Sequence, residues 1–257
     1  MSEHSEKTTQ KTIRNIAVTL SYVGTNYHGW QIQKNAISVQ EVFQKALYKI
    51  LNESVDIKGC SRTDTGVHAN MYVVNFKTTS KIHFNNLICA LNRHLPDDIS
   101  AYECTEKALD FHSRYSCKGK EYIYKVWNNK VKNPFLSGRA LHYWYPLDIY
   151  QMKKSSECFI GTHDFTAFAT IDKRAMKNMQ RTVRKFEVEK EGDNVNFIVE
   201  ADGFLYNMVR IMVGTLLRVS QKKLSPADIP KIIESKDRSC AGPTAPPQGL
   251  YLNRVFY

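Results

Sequence analysis

The sequence predicts an α+β fold: two βαββαβ lobes that share a continuous, mainly antiparallel sheet, with a cleft between them. Three observations predict it. Short apolar runs of strand length recur along the chain, alternating most clearly where Ile16, Val18 and Leu20 face away from Ala17 and Thr19. Between such runs, apolar residues return at helical spacing, as in Val39, Val42, Phe43, Ala46, Leu47, Ile50 and Leu51. The order strand, helix, strand, strand, helix, strand passes once through the first half and again, with larger insertions, through the second. That order is the ferredoxin-like unit.

Taken in sequence, about a dozen polar residues (1–12) read as a tail. Residues 15–22 form a strand. A helix starts at Ser38, which caps it, with Glu41 three positions on as in a capping box. Residues 55–60 and 71–76 are strands flanking the loop Ser61-Arg62-Thr63-Asp64-Thr65-Gly66-Val67-His68-Ala69. A helix over 84–95 places Phe84, Leu87, Ile88 and Leu91 on one face, and Pro96-Asp97-Asp98 turns into a strand over 99–104. The second copy has a strand over 120–127, a helix over 147–159 and a hairpin of 182–190 with 194–201. A helix over 207–219 presents Val209, Met212, Val213, Leu216 and Leu217; a helix opened by Ser225-Pro226 and a final strand over 249–257 follow. The lobes are 13–107 and 108–257, with the boundary near residues 105–117.

Composition bounds the function. The 257 residues are 42% hydrophobic and 24% charged, an ordinary globular balance that excludes collagen-like and wholly disordered chains. Lys and Arg number 36 against 25 Asp and Glu, a net charge of +11 that favours a polyanionic partner such as nucleic acid. The six cysteines show no C-x-x-C pair, which points to free thiols in a reducing compartment and away from zinc. No signal peptide and no membrane-length apolar run is read, so the expectation is a soluble, cytoplasmic chain without membrane partners.

The densest cluster of reactive groups is Arg62, Asp64 and His68, in a loop that two strands hold still. Asp-Thr-Gly also makes a plain turn, the aspartate accepting backbone N–H bonds. It is the signature of aspartic proteases too, but those need two carboxylates sharing a proton and only one copy occurs here. Arg210 shares a helix face with Tyr206, Val213, Gly214 and Leu217. A guanidinium there needs an anionic partner, and Gly214 leaves room for one to approach. Spacing leaves two readings open: an ion pair that lowers the pKa of Asp64 and keeps it nucleophilic, or an arginine snorkelling from the helix's first turn. Tyr115, Tyr122, Tyr124, Trp127 and Phe135 interleave with Lys118, Lys120, Lys125, Lys130, Lys132 and Arg139, and a second basic stretch holds Lys173, Arg174, Lys177, Arg181, Arg184 and Lys185. Two such stretches suit a phosphate track with rings to stack on bases, although most of these aromatics read as sheet core. No G-x-G-x-x-G or Walker loop and no RNP1 pattern is present.

The segment GCSRTDTGVHA (59–69) resembles the active-site motif of the TruA family of tRNA pseudouridine synthases. The likeness continues in SYVGTNYHGWQIQ (21–33), SVQE (38–41), FHSRYS (111–116), GTHDFTAF (161–168), GFLYNMVRIMVGTLL (203–217) and APPQGLYL (245–252), in the family's order. It implies isomerisation of uridine to pseudouridine in the tRNA anticodon stem-loop at positions 38–40, without metal or organic cofactor, by a homodimer. It places Asp64 as the catalytic aspartate, Tyr122 on the target base, Arg62 at base displacement, Arg210 as partner of the aspartate and Leu250 in an apolar pocket. It leaves open whether the aspartate attacks the ribose C1′, adds to uracil C6 or removes a ribose proton. The sequence departs from the family at Ser61, where Gly is common, and at Thr65, where Ala is frequent. The rival expectation is a non-catalytic tRNA-binding or chaperone protein on the same scaffold.

Overall fold

A computed structural model describes residues 12–170 and 178–257. Apolar alternation makes the first strand, β1 (Arg14–Tyr22), and helical periodicity makes α1 (Val39–Leu51), where Ser38 Oγ accepts from the Glu41 N–H at 3.3 Å. The Glu41 carboxylate turns to Lys45 instead of closing the capping box. Then come β2 (Lys58–Gly59), β3 (His68–Thr78), α2 (Phe84–His94), β4 (Ile99–Lys107) and β5 (Gly119–Trp127). The second half continues with β6 (Leu141–His142), α3 (Ile149–Glu157), β7 (Gly161–Asp164), β8 (Gln180–Glu191) and β9 (Asn194–Ala201). It closes with α4 (Met208–Ser220), α5 (Asp228–Ser235) and β10 (Leu250–Phe256).

One mostly antiparallel sheet runs through the molecule in the order β4-β1-β3-β10-β5-β9-β8-β7, with β2 added to β3 and β6 to β5. The two halves meet where β10 lies parallel to β3, Tyr251 opposite His68 and Leu252 opposite Ala69. β2 uses the other end of that same β3 edge, through Lys58 and Gly59. The strand expected over 55–60 therefore shrinks to two residues, although Val55 and Ile57 still bury their side chains. The edge it leaves open is where the second half docks.

Other differences have local causes. β3 begins at His68 rather than Met71, so the end of the conspicuous loop is itself strand. The last helix starts at Asp228, two residues after Pro226, because the Asp228 carboxylate accepts from the Ser225 N–H and hydroxyl and holds that stretch as a turn. β6 and β7 escaped the pattern because neither is long enough to show an alternation.

His68 pins the junction. Its side chain is fully buried; the Gly24 N–H donates to Nδ1 at 2.9 Å, so Nε2 carries the proton and donates to the Gln248 carbonyl at 3.1 Å. The ring stacks on Tyr251, centroids 4.5 Å apart. Burial holds its pKa below the ordinary histidine value. His68 is thus a structural tie, and not one of the reactive groups.

Gly214 also differs from expectation. A Cβ there would overlap the Pro243 carbonyl oxygen, so the glycine admits the 242–245 backbone, and no anion approaches at that point. The strap is held by Thr215 Oγ1, which accepts from the Gly242 N–H at 2.9 Å. Gly214→Ala would gain up to about 1 kcal/mol in helix propensity, against an overpacking cost of about 1–3 kcal/mol because the obstacle is backbone. The expected outcome is a net loss of about 1 kcal/mol, read as a lower urea midpoint with an unchanged m-value.

Candidate active site

The loop between β2 and β3 is held from beneath by aromatic side chains. Tyr22 and Thr63 share a hydroxyl hydrogen bond at 2.8 Å, Tyr72 donates to the Ser61 carbonyl, and Trp30 stacks on Tyr72 at 4.1 Å. The Thr63 carbonyl accepts from the Trp30 N–H at 3.2 Å. Gly29, at φ +81°, lets the backbone pass so close that a Cβ would overlap that same carbonyl. The Val67 N–H closes a turn on the Asp64 carbonyl at 3.1 Å. A turn does form here, but through the Asp64 carbonyl; the carboxylate, which the plain-turn reading has accepting backbone N–H bonds, accepts none among the described residues and faces a cleft.

That cleft is a cavity of about 650 Å³, within the range of small-ligand sites. Asp64, Tyr122, Arg62 and Leu250 all line it. Arg210, on α4, does not line the cavity itself but sets its Nη1 3.6 Å from Asp64 Oδ2. Of the two readings that spacing left for Arg210, the ion pair is therefore the one found. Its effect differs from expectation, however: burial raises the Asp64 pKa above the ordinary value, and Arg210 opposes that rise without reversing it.

Tyr122 is 7% exposed. Its hydroxyl lies 3.2 Å from Ser61 Oγ, and its ring meets Phe204 edge-on at 5.0 Å. Burial pushes its phenol pKa far up, so it stays neutral. Ser61, one of the two family departures, thus gives the tyrosine a hydroxyl partner that glycine lacks; Thr65, the other, is exposed. Arg62 is exposed on the rim. Leu250 opens β10 opposite Tyr124, almost wholly buried.

Among the described residues, four basic side chains line the cavity, Arg62, Arg114, Lys120 and Arg181, against the single carboxylate of Asp64. The two basic stretches contribute only in part. Arg184 pairs with Glu200, Lys185 with Glu187, and Lys125 lies over the Tyr251 ring at 4.2 Å. Lys173, Arg174 and Lys177 fall outside the described residues. Tyr124 is wholly buried, its hydroxyl donating to the Pro246 carbonyl at 2.7 Å, whereas Tyr115 and Phe135 are strongly exposed. Phe204, Asn207 and Arg114 belong to the cavity and carried no separate sequence signal beyond lying in motifs of the resemblance. Among the described residues no group of three His, Cys, Asp or Glu is gathered that could hold a metal ion, all six cysteines are free, and no helix is long and apolar enough to cross a membrane.

Among the described residues, a half-buried carboxylate whose charged neighbours in the cleft are all basic is the arrangement of an enzyme for an anionic substrate. The chain belongs to the tRNA pseudouridine synthase family, whose description matches residues 4–116 and 156–257. It is 49% identical over 245 residues to "tRNA pseudouridine synthase A" of Thermoanaerobacter sp. (strain X514), covering 95% of this chain and all of the relative. Proteins with the same name from Acetivibrio thermocellus and Clostridium acetobutylicum are 46% and 43% identical, with the same coverage. Among solved structures, a chain of "Crystal Structure of a Cbf5-Nop10-Gar1 Complex" matches with a TM-score of 0.33 and 15% identity, over 78% of this chain and 53% of that one; the likeness is too distant to carry an argument.

The electrostatics are directly measurable. In a carbon-detected titration of labelled aspartate, the Asp64 carboxyl titrates above the ordinary aspartate range. Arg210→Gln is expected to move it higher still, because the charge that opposes the effect of burial is gone. A midpoint below the ordinary range would show that the ion pair outweighs burial.

Proposed function

We infer that this chain isomerises uridine to pseudouridine in tRNA and that Asp64 is the carboxylate that does it. The observation carrying the reading is that Asp64 and Tyr122 line one cavity together with four basic side chains while Arg210 pairs with Asp64, three residues from separate elements and both halves of the chain. The reaction breaks the N1–C1′ bond of uridine and makes a C5–C1′ bond. The C5 proton is lost and N1 gains one, so no electrons enter or leave.

The residue types suit the task. A uridine stacked in a stem must leave it, at a cost of a few kcal/mol. Arg62 on the rim takes the space the base vacates, and the other cleft cations hold the flanking phosphates. Tyr122, neutral and braced by Phe204 and Ser61, packs on the uracil and keeps it in place after the glycosidic bond opens. Leu250 gives the base an apolar wall. Asp64 is the nucleophile, and its burial strips away the water that would otherwise blunt it. The substrate region is the anticodon stem-loop at positions 38–40, and the working unit is a homodimer; the resemblance of the whole chain to its relatives supports both.

The same reading covers the architecture. The strand orders β4-β1-β3-β2 and β10-β5-β9-β8 repeat one pattern, which supports two ferredoxin-like lobes over 13–107 and 108–257, joined along β3 and β10.

Asp64→Asn is expected to bind tRNA as the parent does while tritium release from 5-tritiated uridine in tRNA falls by at least about 10³-fold, the loss typical of a group that acts only in the transition state. Turnover near the parent rate would remove Asp64 from the role. Affinity for tRNA should fall with salt along a log–log slope of about −3 or steeper, since each phosphate neutralised by the four cleft cations contributes about −0.7 to −0.9. A flat response in a filter-binding series would show that those side chains make no phosphate contacts.

A further inference from the structure

We propose that Asn207 is a positioning residue that holds the Arg210 guanidinium back from Asp64, so that the carboxylate is stabilised by charge while both its oxygens stay free. The inference rests on the role of Asp64 proposed above and adds how its partner is restrained. Asn207 stands directly before α4 with φ +63° and ψ 6°, the left-handed region. A capping asparagine ordinarily has an extended backbone and turns its side chain onto the helix's first N–H groups. Here it caps none of them.

Its amide is spent elsewhere. Arg210 Nη1 donates to Asn207 Oδ1 at 2.7 Å, and Asn207 Nδ2 donates to Thr170 Oγ1 at 3.0 Å. A guanidinium has only donors, so this contact fixes which way the amide faces. Arg210 Nε donates to the Ala245 carbonyl at 2.7 Å, and the Ala245 N–H donates back to the Arg210 carbonyl at 3.0 Å. Two neutral acceptors on opposite sides therefore set the guanidinium plane. The same Nη1 that serves Asn207 lies 3.6 Å from Asp64 Oδ2, an ion pair without a hydrogen bond. Among the described residues no group donates a hydrogen bond to either Asp64 oxygen. A guanidinium without these restraints would close on the carboxylate in the two-pronged geometry it favours and occupy both oxygens.

The test uses two variants that share the native backbone preference. Asn207→Gly accepts φ +63° and releases the arginine onto Asp64. Asn207→Asp keeps the shape and puts a second carboxylate on Arg210, drawing its charge away. Among the described residues, the groups facing Asp64 are Arg210 from α4, Tyr122 from β5 and Arg62 on its own loop, with Arg114, Lys120 and Arg181 in the same cavity; both variants leave their identities unchanged and act only through the placement or charge of Arg210. Both variants are expected to lower kcat about tenfold or more with KM for tRNA within about twofold, as for a misplaced reacting group. The acid limb of the kcat/KM profile should move in opposite directions, down for Asn207→Gly and up for Asn207→Asp, each by about one pH unit. Opposite shifts establish the restraint. Unchanged limbs, a shift of both in one direction, or parent-like kcat in Asn207→Gly overturns it, including where a urea midpoint shows both variants weakened. Asp64→Asn run alongside separates the two ideas: an active Asp64→Asn removes the nucleophile itself, whereas an inert one beside unaffected Asn207 variants removes only the restraint.

Discussion

Everything in the cleft depends on keeping one carboxylate charged in a place that disfavours charge. Burial raises the free energy of ionised Asp64, and the opposing field comes from an arginine on the other half of the chain. The pair therefore exists only when both halves are docked along β3 and β10. Folding the sheet and charging the site are one event. The 3.6 Å separation is part of the same balance, because a closer contact would ionise the acid more fully and, on the role proposed for Asp64, occupy the oxygens the reaction needs.

Much of this was legible in the residues. The alternation of Ile16, Val18 and Leu20 and the spacing from Val39 to Leu51 gave their elements nearly to the residue, since both are long enough for periodicity to show. The Asp64–Arg210 pairing was legible as a need, because a guanidinium on an apolar helix face requires an anion. The direction of its effect was not, because desolvation is a property of the assembled cleft. Gly214 was misread for a related reason: a sequence shows that space is wanted, but not whether a ligand or a backbone fills it. His68 sat inside the motif and looked reactive, yet its partners, Gly24 and Gln248, lie 44 and 180 residues away.

The basic charge of the chain proved less concentrated than its runs suggest. Several of the lysines and arginines counted as a track are neutralised by nearby glutamates or rest on rings, and the described cations that face the cavity come from three separate stretches of chain, at 62, 114–120 and 181. Such an arrangement grips a folded polyanion at several angles, where a linear track would follow an extended one. Within the family to which this chain belongs, that suits a substrate that must be held as a shape while one nucleotide is drawn out of it.

The imidazole of His68 gives this architecture a sensitivity to acid. Burial keeps it neutral in the folded chain, so folding expels a proton that the unfolded chain would bind below about pH 6.5. Its contribution to stability is complete above that value and drains away as the medium becomes more acidic. Once protonated, Nδ1 no longer accepts from Gly24, and the seam between the halves loses one of its fastenings. Acid therefore loosens the seam that brings the Asp64 and Arg210 halves together, while the strand pairing of β10 with β3 is left in place.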